Sequence, residues 1–327
     1  MIDKKTFPYK KALVTGGAGF IGSHLVEELV KMDVDTISVD NYFAGKEENL
    51  AHLKQYPNFQ EVKCDVLDFE QLDELYKGVE VVFHQAASKK TICMNNPRLD
   101  LDINAKGAFN LLELAVKHKV KKFVHASTGS VYGEAQYFPQ DEQHPLVPSS
   151  YYGVSKLAGE KYAKTFNHLY GLNTTVLRYF HVYGPRQESS DVGGVVSIFT
   201  RKMLKGEPIK IYGDGTQQRS FTYVKDVVKA NLMSAASKKS EAQVYNCASG
   251  IKVTVKELAN MVADILGIKN QQIIYDDWMP GDIKVFDIDN KKIKEDFGIE
   301  FVTNFREGLE QTVNWGKEYF KKELKLV

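Results

Sequence analysis

The chain has 327 residues, 43% of them hydrophobic, enough to bury a large core and, by length, to make about two domains. Its 43 Lys and Arg against 42 Asp and Glu leave a formal charge of +1, which gives no electrostatic reason to expect nucleic acid or an anionic membrane as partner. No 18-residue apolar run occurs and Met1 to Lys10 lacks the apolar core of a leader, so a membrane span and secretion are not expected and the cytosol is the predicted compartment.

Cys64, Cys93 and Cys247 are far apart and show no C-x-x-C spacing, so they read as reduced thiols. The 8 His contain no H-E-x-x-H pair, and no G-x-S-x-G elbow occurs. No metal is expected, and serine-triad chemistry is disfavoured.

Lys11 to Thr15 is a short apolar run without helical period and reads as a buried strand ending at Gly16. Gly16, Gly19 and Gly22 follow as G-x-x-G-x-x-G, and behind them Ile21, Leu25, Val26, Leu29 and Val30 recur at helical spacing. A glycine turn that opens a helix lets backbone N–H groups approach a pyrophosphate at the positive end of the helix dipole. Thr36 to Val39 reads as the next strand and ends at Asp40, 18 residues beyond Gly22. A carboxylate there accepts from both hydroxyls of an adenosine ribose and repels a 2′-phosphate, which predicts NAD over NADP.

Asn41 to Asn49 is a polar loop at the adenosine end, and Phe59 to Cys64 a third strand that runs into Asp65 and Val66. Leu72 to Tyr76 is helical, and Val79 to Gln85 a fourth strand followed by Ala86, Ala87, Ser88 and Lys89. Small residues at a strand end admit a cofactor, and Lys89 has the reach for a ribose or phosphate. Pro97 to Lys119 is predicted as one helix with Asn104 inside it, where a polar residue has low intrinsic preference. Lys121 to Tyr132 is a fifth strand carrying Ser127 and Thr128 at its end. The alternation predicts a doubly wound parallel sheet with ligands beyond the carboxyl ends of its strands.

After a proline-bearing loop from Pro139 to Pro148, a helix begins near Ser149 and Ser150 and brings Tyr152 and Lys156 together at i and i+4. An ammonium beside a phenol favours the phenolate, so Tyr152 is a candidate acid/base with its pKa drawn below about 10. From Val182 the strand–helix rhythm breaks. Glu188 to Gly194 is a loop, Val195 to Leu204 a helix, Ile209 to Tyr212 a strand, Val224 to Ala236 and Val255 to Leu266 helices, with Val244 to Cys247 a strand between them. A last helix starts near Asn304, with Glu307 as its capping-box partner and Phe305, Leu309, Val313 and Phe320 inward. The expected division is residues 1–181 for the dinucleotide and 182–327 for a smaller α/β substrate domain, with segments near 220–250 returning to the first.

Gly16-Gly17-Ala18-Gly19-Phe20-Ile21-Gly22, Thr128 before Val131-Tyr132-Gly133, and Tyr152-Gly153-Val154-Ser155-Lys156 together resemble the extended short-chain dehydrogenase/reductase family. Arg178 to Gln187, Gly213-Asp214-Gly215 and Arg219 to Asp226 extend that resemblance over nearly the whole chain, and the nucleotide-sugar 4-epimerases are its most similar branch. The resemblance implies a Rossmann domain with tightly held NAD, a UDP-sugar substrate and a homodimer. It implies Thr128, Tyr152 and Lys156 as catalytic residues. Gly16, Gly19, Phe20, Ile21 and Gly22, then Asp40, Asn41, Asp65 and Val66, then Gln85, Ala86, Ala87 and Lys89, and finally Asn104, Tyr152, Lys156 and Tyr179 are the implied cofactor contacts. Substrate contacts fall on Thr128, Tyr152, His181, Val195, Arg219, Asp282 and Phe286, with Arg219 suited to the diphosphate.

By the same resemblance Tyr152 takes the proton of the sugar C4 hydroxyl as hydride leaves C4, the 4-keto sugar turns over, and hydride returns to the other face. Three positions depart from the branch: His181 stands where asparagine is usual, Met279 where arginine commonly precedes Gly-Asp, and Phe286 where tyrosine or a small residue is found. A ring at 286 argues against a 2-acetamido group. A 4,6-dehydratase needs Asp-Glu after the threonine, where this chain has Gly129 and Ser130, and decarboxylases often carry an acid at the second of these. The remaining alternative, a non-catalytic NAD sensor, has no need of Thr128, Tyr152 and Lys156 together.

Overall fold

The computed structural model describes residues 4–88, 90–190, 193–278, 283–301 and 304–324. Lys89, Met279 and Asp282, singled out above, lie outside the described residues. In chain order the first half comprises β1 (Lys11–Thr15), α1 (Phe20–Lys31), β2 (Asp35–Asp40), β3 (Phe59–Lys63), α2 (Phe69–Leu75) and β4 (Val81–His84). Then come α3 (Lys90–Asn95), α4 (Pro97–Leu101), α5 (Gly107–Lys117), β5 (Lys122–Thr128), α6 (Tyr151–Tyr170) and β6 (Thr174–Tyr179).

The strands stand in the order β11-β6-β5-β4-β1-β2-β3, with β11 being Gln243–Cys247. Every pairing in this seven-stranded sheet is parallel. Alternate side chains feed opposite layers, as a strand's period of two demands. Ala12, Val14, Val81 and Phe83 pack with Leu25, Val26 and Leu29 of α1 on one face. Leu13 and Val82 pack with Leu111, Leu112 and Phe166 of α5 and α6 on the other. Covering helices on both sides explain why the central strands β1 and β4 are apolar runs and not alternating ones.

One helix differs from expectation. Between α4 and α5 the backbone widens into a π-turn at Asp102–Lys106, which holds Asn104. The predicted fifth strand is also shorter, because Gly129–Val131 turns into a 3-10 segment as soon as the sheet ends.

The second half comprises β7 (Val182–Tyr183), α7 (Val195–Leu204), β8 (Ile209–Tyr212), β9 (Gln218–Ser220), β10 (Thr222–Tyr223) and α8 (Val224–Ala236). After β11 come β12 (Lys252–Thr254), α9 (Val255–Leu266), β13 (Ile273–Asp276), α10 (Lys291–Phe297) and α11 (Phe305–Leu324). Val227, Val228 and Leu232 of α8 pack into the α1 layer of the sheet. Ile293 and Phe297 of α10 join that same layer, and α7, α9 and α11 surround a separate core of Phe199, Ile209, Phe221, Leu258, Leu309 and Val313. Among the described residues no helix is long and apolar enough to cross a membrane.

Candidate functional site

At the carboxyl ends of the parallel strands lies a cavity of about 580 Å³. Its wall includes Gly16, Gly19, Phe20, Ile21 and Gly22, Asp40 and Asn41, Asp65 and Val66, Gln85 to Ala87, and Tyr152, Lys156, Tyr179 and His181.

The glycine turn is dictated by space. Gly16 has φ +66°, and a Cβ there would come within 2.7 Å of the Ala86 backbone nitrogen. A Cβ at Gly22 would come within 2.1 Å of the Gly16 carbonyl oxygen. Gly19 caps α1 without any side-chain bond, and the first turn holds no acidic residue. The first N–H groups of α1 are therefore open to an anion.

At the end of β2 the Asp40 carboxylate accepts from the backbone N–H of Ala18 at 3.0 Å and of Tyr42 at 2.8 Å. Burial pushes its pKa up while these donors pull it down. Asn41 Nδ2 donates to Asp65 Oδ2 at 2.7 Å, joining the ends of β2 and β3. Midway along the cavity Tyr179 Oη donates to Gln85 Oε1 at 3.1 Å, and Asn231 Nδ2 donates to Tyr179 Oη at 2.8 Å.

At the other end, Ser150 caps α6 by accepting from Gly153 N–H at 3.1 Å and starts the helix where its first turn presents Tyr152. Thr128, the last residue of β5, accepts from Ser130 N–H at 3.2 Å and is hydrogen-bonded to the Tyr152 phenol. Lys156 is buried, and its Nζ meets no hydrogen-bond partner among the described residues. Burial lowers its pKa to about 8, against the nearby charges of Glu160 and Asp100. The Tyr152 phenol is pushed up to about 12, by burial first, with only the Thr128 bond pulling it down. This corrects the sequence expectation of a depressed phenol: desolvation dominates, and the Lys156 ammonium one turn away is not among the groups that draw the phenol down.

Behind this corner runs a desolvated network. Arg178 of β6 holds Glu160 of α6 through Nε at 2.9 Å and Nη2 at 2.7 Å, and Nη1 donates to Tyr132 Oη at 2.8 Å. Ser127 Oγ donates to Glu160 Oε1 at 2.5 Å, so the end of β5 and the third turn of α6 are locked together. His84 and His125, side by side on β4 and β5, are held well below the usual imidazole range by burial and by the charge of Lys156.

Asn104 is fully buried and stands behind the cavity wall. Its Nδ2 lies 2.9 Å from Asp100 Oδ1 and 3.0 Å from both Ser88 Oγ and Ser155 Oγ, so it ties α6 to the segment after β4. The π-turn is what places an amide at this crossing. Thr128 adjoins the cavity through Tyr152 without lining it. Val195 opens α7 just behind Gly194, which does line the wall.

Arg219 and Phe286 also stand outside the wall. Arg219 Nη1 donates to the backbone oxygens of Gln218 at 2.9 Å and Ile283 at 2.8 Å, and its guanidinium lies 5.6 Å from the Phe286 ring centroid. Phe286 meets His181 edge to face at 4.7 Å. His181 adopts φ +34°, a region where Asn and His are enriched, which suits both the usual asparagine and its replacement here. Sequence reasoning missed Trp315 and Tyr319 of α11, Lys46 and Arg186, all of which line the cavity. Arg186 is drawn in by Glu27 of α1, at 2.5 Å from Nη2. Lys46 lies in the loop already placed at the adenosine end and Arg186 in the stretch from Arg178 to Gln187, whereas nothing local in the sequence marks Trp315 and Tyr319, which reach the site from across the fold.

The open α1 terminus, the acid at the end of β2 and the partnerless Lys156 ammonium fit a dinucleotide with a ribose beside α6. Residues 12–248 match the NAD dependent epimerase/dehydratase family. The chain belongs to that family and is an NAD-dependent enzyme. It is 43% identical over 309 residues to the "Putative UDP-glucose 4-epimerase" of Methanocaldococcus jannaschii, covering 93% of this chain and 98% of the relative. It is also 33% identical, over 94% of this chain and 98% of the relative, to a UDP-N-acetyl-alpha-D-glucosaminuronate decarboxylase of Bacillus cytotoxicus. Among solved structures, the UDP-glucose 4-epimerase of Thermotoga maritima with UDP-glucose is similar at a TM-score of 0.89 and 39% identity, over 96% of this chain and 99% of that one.

Proposed function

We propose that the protein is a 4-epimerase of a UDP-hexose with a free 2-hydroxyl, working through a transient 4-keto sugar. The carrying observation is the Thr128, Tyr152 and Lys156 corner with Gly129 and Ser130, and no acid, at the two positions after the threonine. A Cβ at Gly129 would come within 2.3 Å of the Phe180 ring, so an acid at this position would have to displace that ring. Ser130, the second position, offers a hydroxyl in contact with Thr128 at 3.3 Å. Without that acid/base pair neither water nor a carboxyl group has its expected helper. The relatives named for 4-epimerisation at 43% and 39% identity support the same reading.

Bound NAD supplies the acceptor and donor of the C4 hydride. Tyr152 Oη holds the proton that leaves and returns to the C4 oxygen. Thr128 Oγ1, bonded to that phenol, orients the same oxygen. Lys156 holds a ribose of the cofactor through the ammonium that meets no partner among the described residues and, in its charged form, favours the Tyr152 phenolate. Asp40 takes the adenosine ribose, Gly16 to Gly22 the pyrophosphate, and Arg219 and His181 face the sugar diphosphate. Phe286, packed on both His181 and Arg219, is a bulky ring that argues against an acetamido group.

In this reading residues 1–181 with α8 and β11 form the cofactor domain, and the remainder of 182–327 the substrate domain. We also propose a homodimer through α5 and α6. Phe109, Tyr162 and Tyr170 are exposed there and joined by ring contacts, Phe109 to Tyr162 at 5.3 Å and Tyr170 to the buried Phe166 at 5.3 Å. The three cysteines are free and buried, which fits a reducing compartment such as the cytosol.

Incubation with a panel of UDP-sugars, read by mass spectrometry and NMR, tests the reaction. Unchanged mass with inverted C4 is expected, and loss of water or of carbon dioxide would move the enzyme to a lyase. Tyr152→Phe is expected to retain NAD and to lower kcat by about 10²- to 10⁴-fold. Turnover at the parent rate would remove Tyr152 from its role.

A further inference from the structure

We infer that the C-terminal helix is part of the cofactor site: Trp315 and Tyr319 of α11, fastened to the loop after β2, close the adenosine end over NAD and set how slowly it leaves. This rests on NAD binding alone and not on the identity of the sugar.

The fastening is continuous from the glycine turn outward. Ala18, inside that turn, donates to Asp40, and its carbonyl accepts from Lys46 N–H at 3.0 Å and from Asn49 Nδ2 at 2.9 Å. The loop of residues 41–49 is thereby pinned to the two groups expected to hold pyrophosphate and ribose. From this loop Lys46 Nζ donates to Tyr319 Oη at 2.8 Å and lies 5.1 Å from the ring centroid, while Tyr319 Oη donates to Glu48 Oε1 at 2.7 Å. Trp315 stacks on Tyr319 with centroids 4.8 Å apart and planes within 11°.

Both rings line the cavity, as do Phe43, Lys46 and Glu48 facing them. The helix that carries them is anchored elsewhere, by Leu309 and Val313 in the second core. Gly316, between the two rings in sequence, sits close enough to Thr200 of α7 that a Cβ there would come within 3.0 Å of its methyl. Since Gly194, the residue before α7, also lines the cavity, the cofactor is enclosed by elements from both halves of the chain. Release therefore requires the Lys46 and Glu48 contacts to Tyr319 to break, whereas the chemical corner at Tyr152 does not need to open.

The test is the rate of NAD loss. Protein as purified is diluted into alcohol dehydrogenase with ethanol, so that every NAD released is reduced and seen by absorbance. Trp315→Ala is expected to release NAD about tenfold faster than the parent, the order of an aromatic contact to a base. Lys46→Ala and Tyr319→Phe are expected to speed release about threefold, as for an exposed polar contact. The last two leave the helix core intact and keep the test decisive if Trp315→Ala does not fold. Release at the parent rate in both would overturn the inference. So would faster release accompanied by an equal fall in the melting temperature of the cofactor-stripped protein, which would mark a purely structural contact.

Discussion

The two ends of the cavity are built on opposite energetic terms. At the chemical end Arg178 and Glu160 are paired with side-chain exposures of 3% and 4%, whereas at the adenosine end Lys46 and Glu48 flank Tyr319 at 44% and 55%. A desolvated pair is expensive to break because each charge is left without water, while an exposed pair is worth ~1 kcal/mol or less. The difference separates two tasks. Atoms that must stay within bonding reach of a reacting carbon are held by contacts that cannot open locally. Groups that must let a cofactor in are held by contacts that open at small cost.

The sharpest way to break this comparison is to remove one member of the buried pair. Arg178→Met is expected to destabilise the protein by about 3–5 kcal/mol in urea unfolding, by stranding Glu160. A loss comparable to that of Lys46→Ala would show that the two ends do not differ.

Next in size is the pH dependence of Lys156. Its folded pKa of about 8 lies below the unfolded value of about 10.4. The penalty for burying the ammonium is thus complete below pH 8 and disappears as pH rises toward 10.4, worth about 3 kcal/mol at ~1.4 kcal/mol per unit. Cofactor-stripped protein should gain stability across that window, and Lys156→Met should lack this gain. Tyr152 acts in the opposite sense only above pH 10, where the unfolded phenol ionises and the folded one, at about 12, does not.

The smallest effect is expected far from both ends. Thr254 and Glu257 form a full capping box at the start of α9, Thr254 Oγ1 accepting from Glu257 N–H at 3.1 Å. Thr254→Ala should cost about 1 kcal/mol in unfolding and leave NAD release unchanged, which calibrates the strap measurements.

Much of the chemical end was legible because its signals are local. Gly16 to Gly22, Asp40 and the Tyr152–Lys156 pair are each defined by spacing within one or two elements, and the sheet then aligns them by parallel register. β6 (Thr174–Tyr179) was not singled out, although it brings Tyr179 and Arg178 to the site. Its Thr-Thr-Val-Leu-Arg-Tyr buries three polar residues, Thr174 and Thr175 bonded to the carbonyls of Ala163 and Ser240 and Arg178 paired with Glu160, partners that no local pattern reveals. The resemblance implied Asn104 as a cofactor contact, and spacing does not reveal the π-turn that sets it behind the wall. The raised pKa of Tyr152 was equally invisible, since burial is a property of the assembled pocket. Trp315 and Tyr319 stand about 270 residues from Lys46 and carry no local mark of the contact.

The position of β11 at the end of the sheet has a consequence for biosynthesis. Gln243–Cys247 pairs with Thr175–Tyr179, so β6 is an unprotected rim until more than sixty further residues have emerged from the ribosome. A chain stopped at residue 181 would present that unpaired rim to its neighbours, the arrangement from which intermolecular strand addition begins. Nascent chains of this protein thus pass through a stage at which their first half is nearly complete yet sticky, and fragments ending there should collect in inclusion bodies.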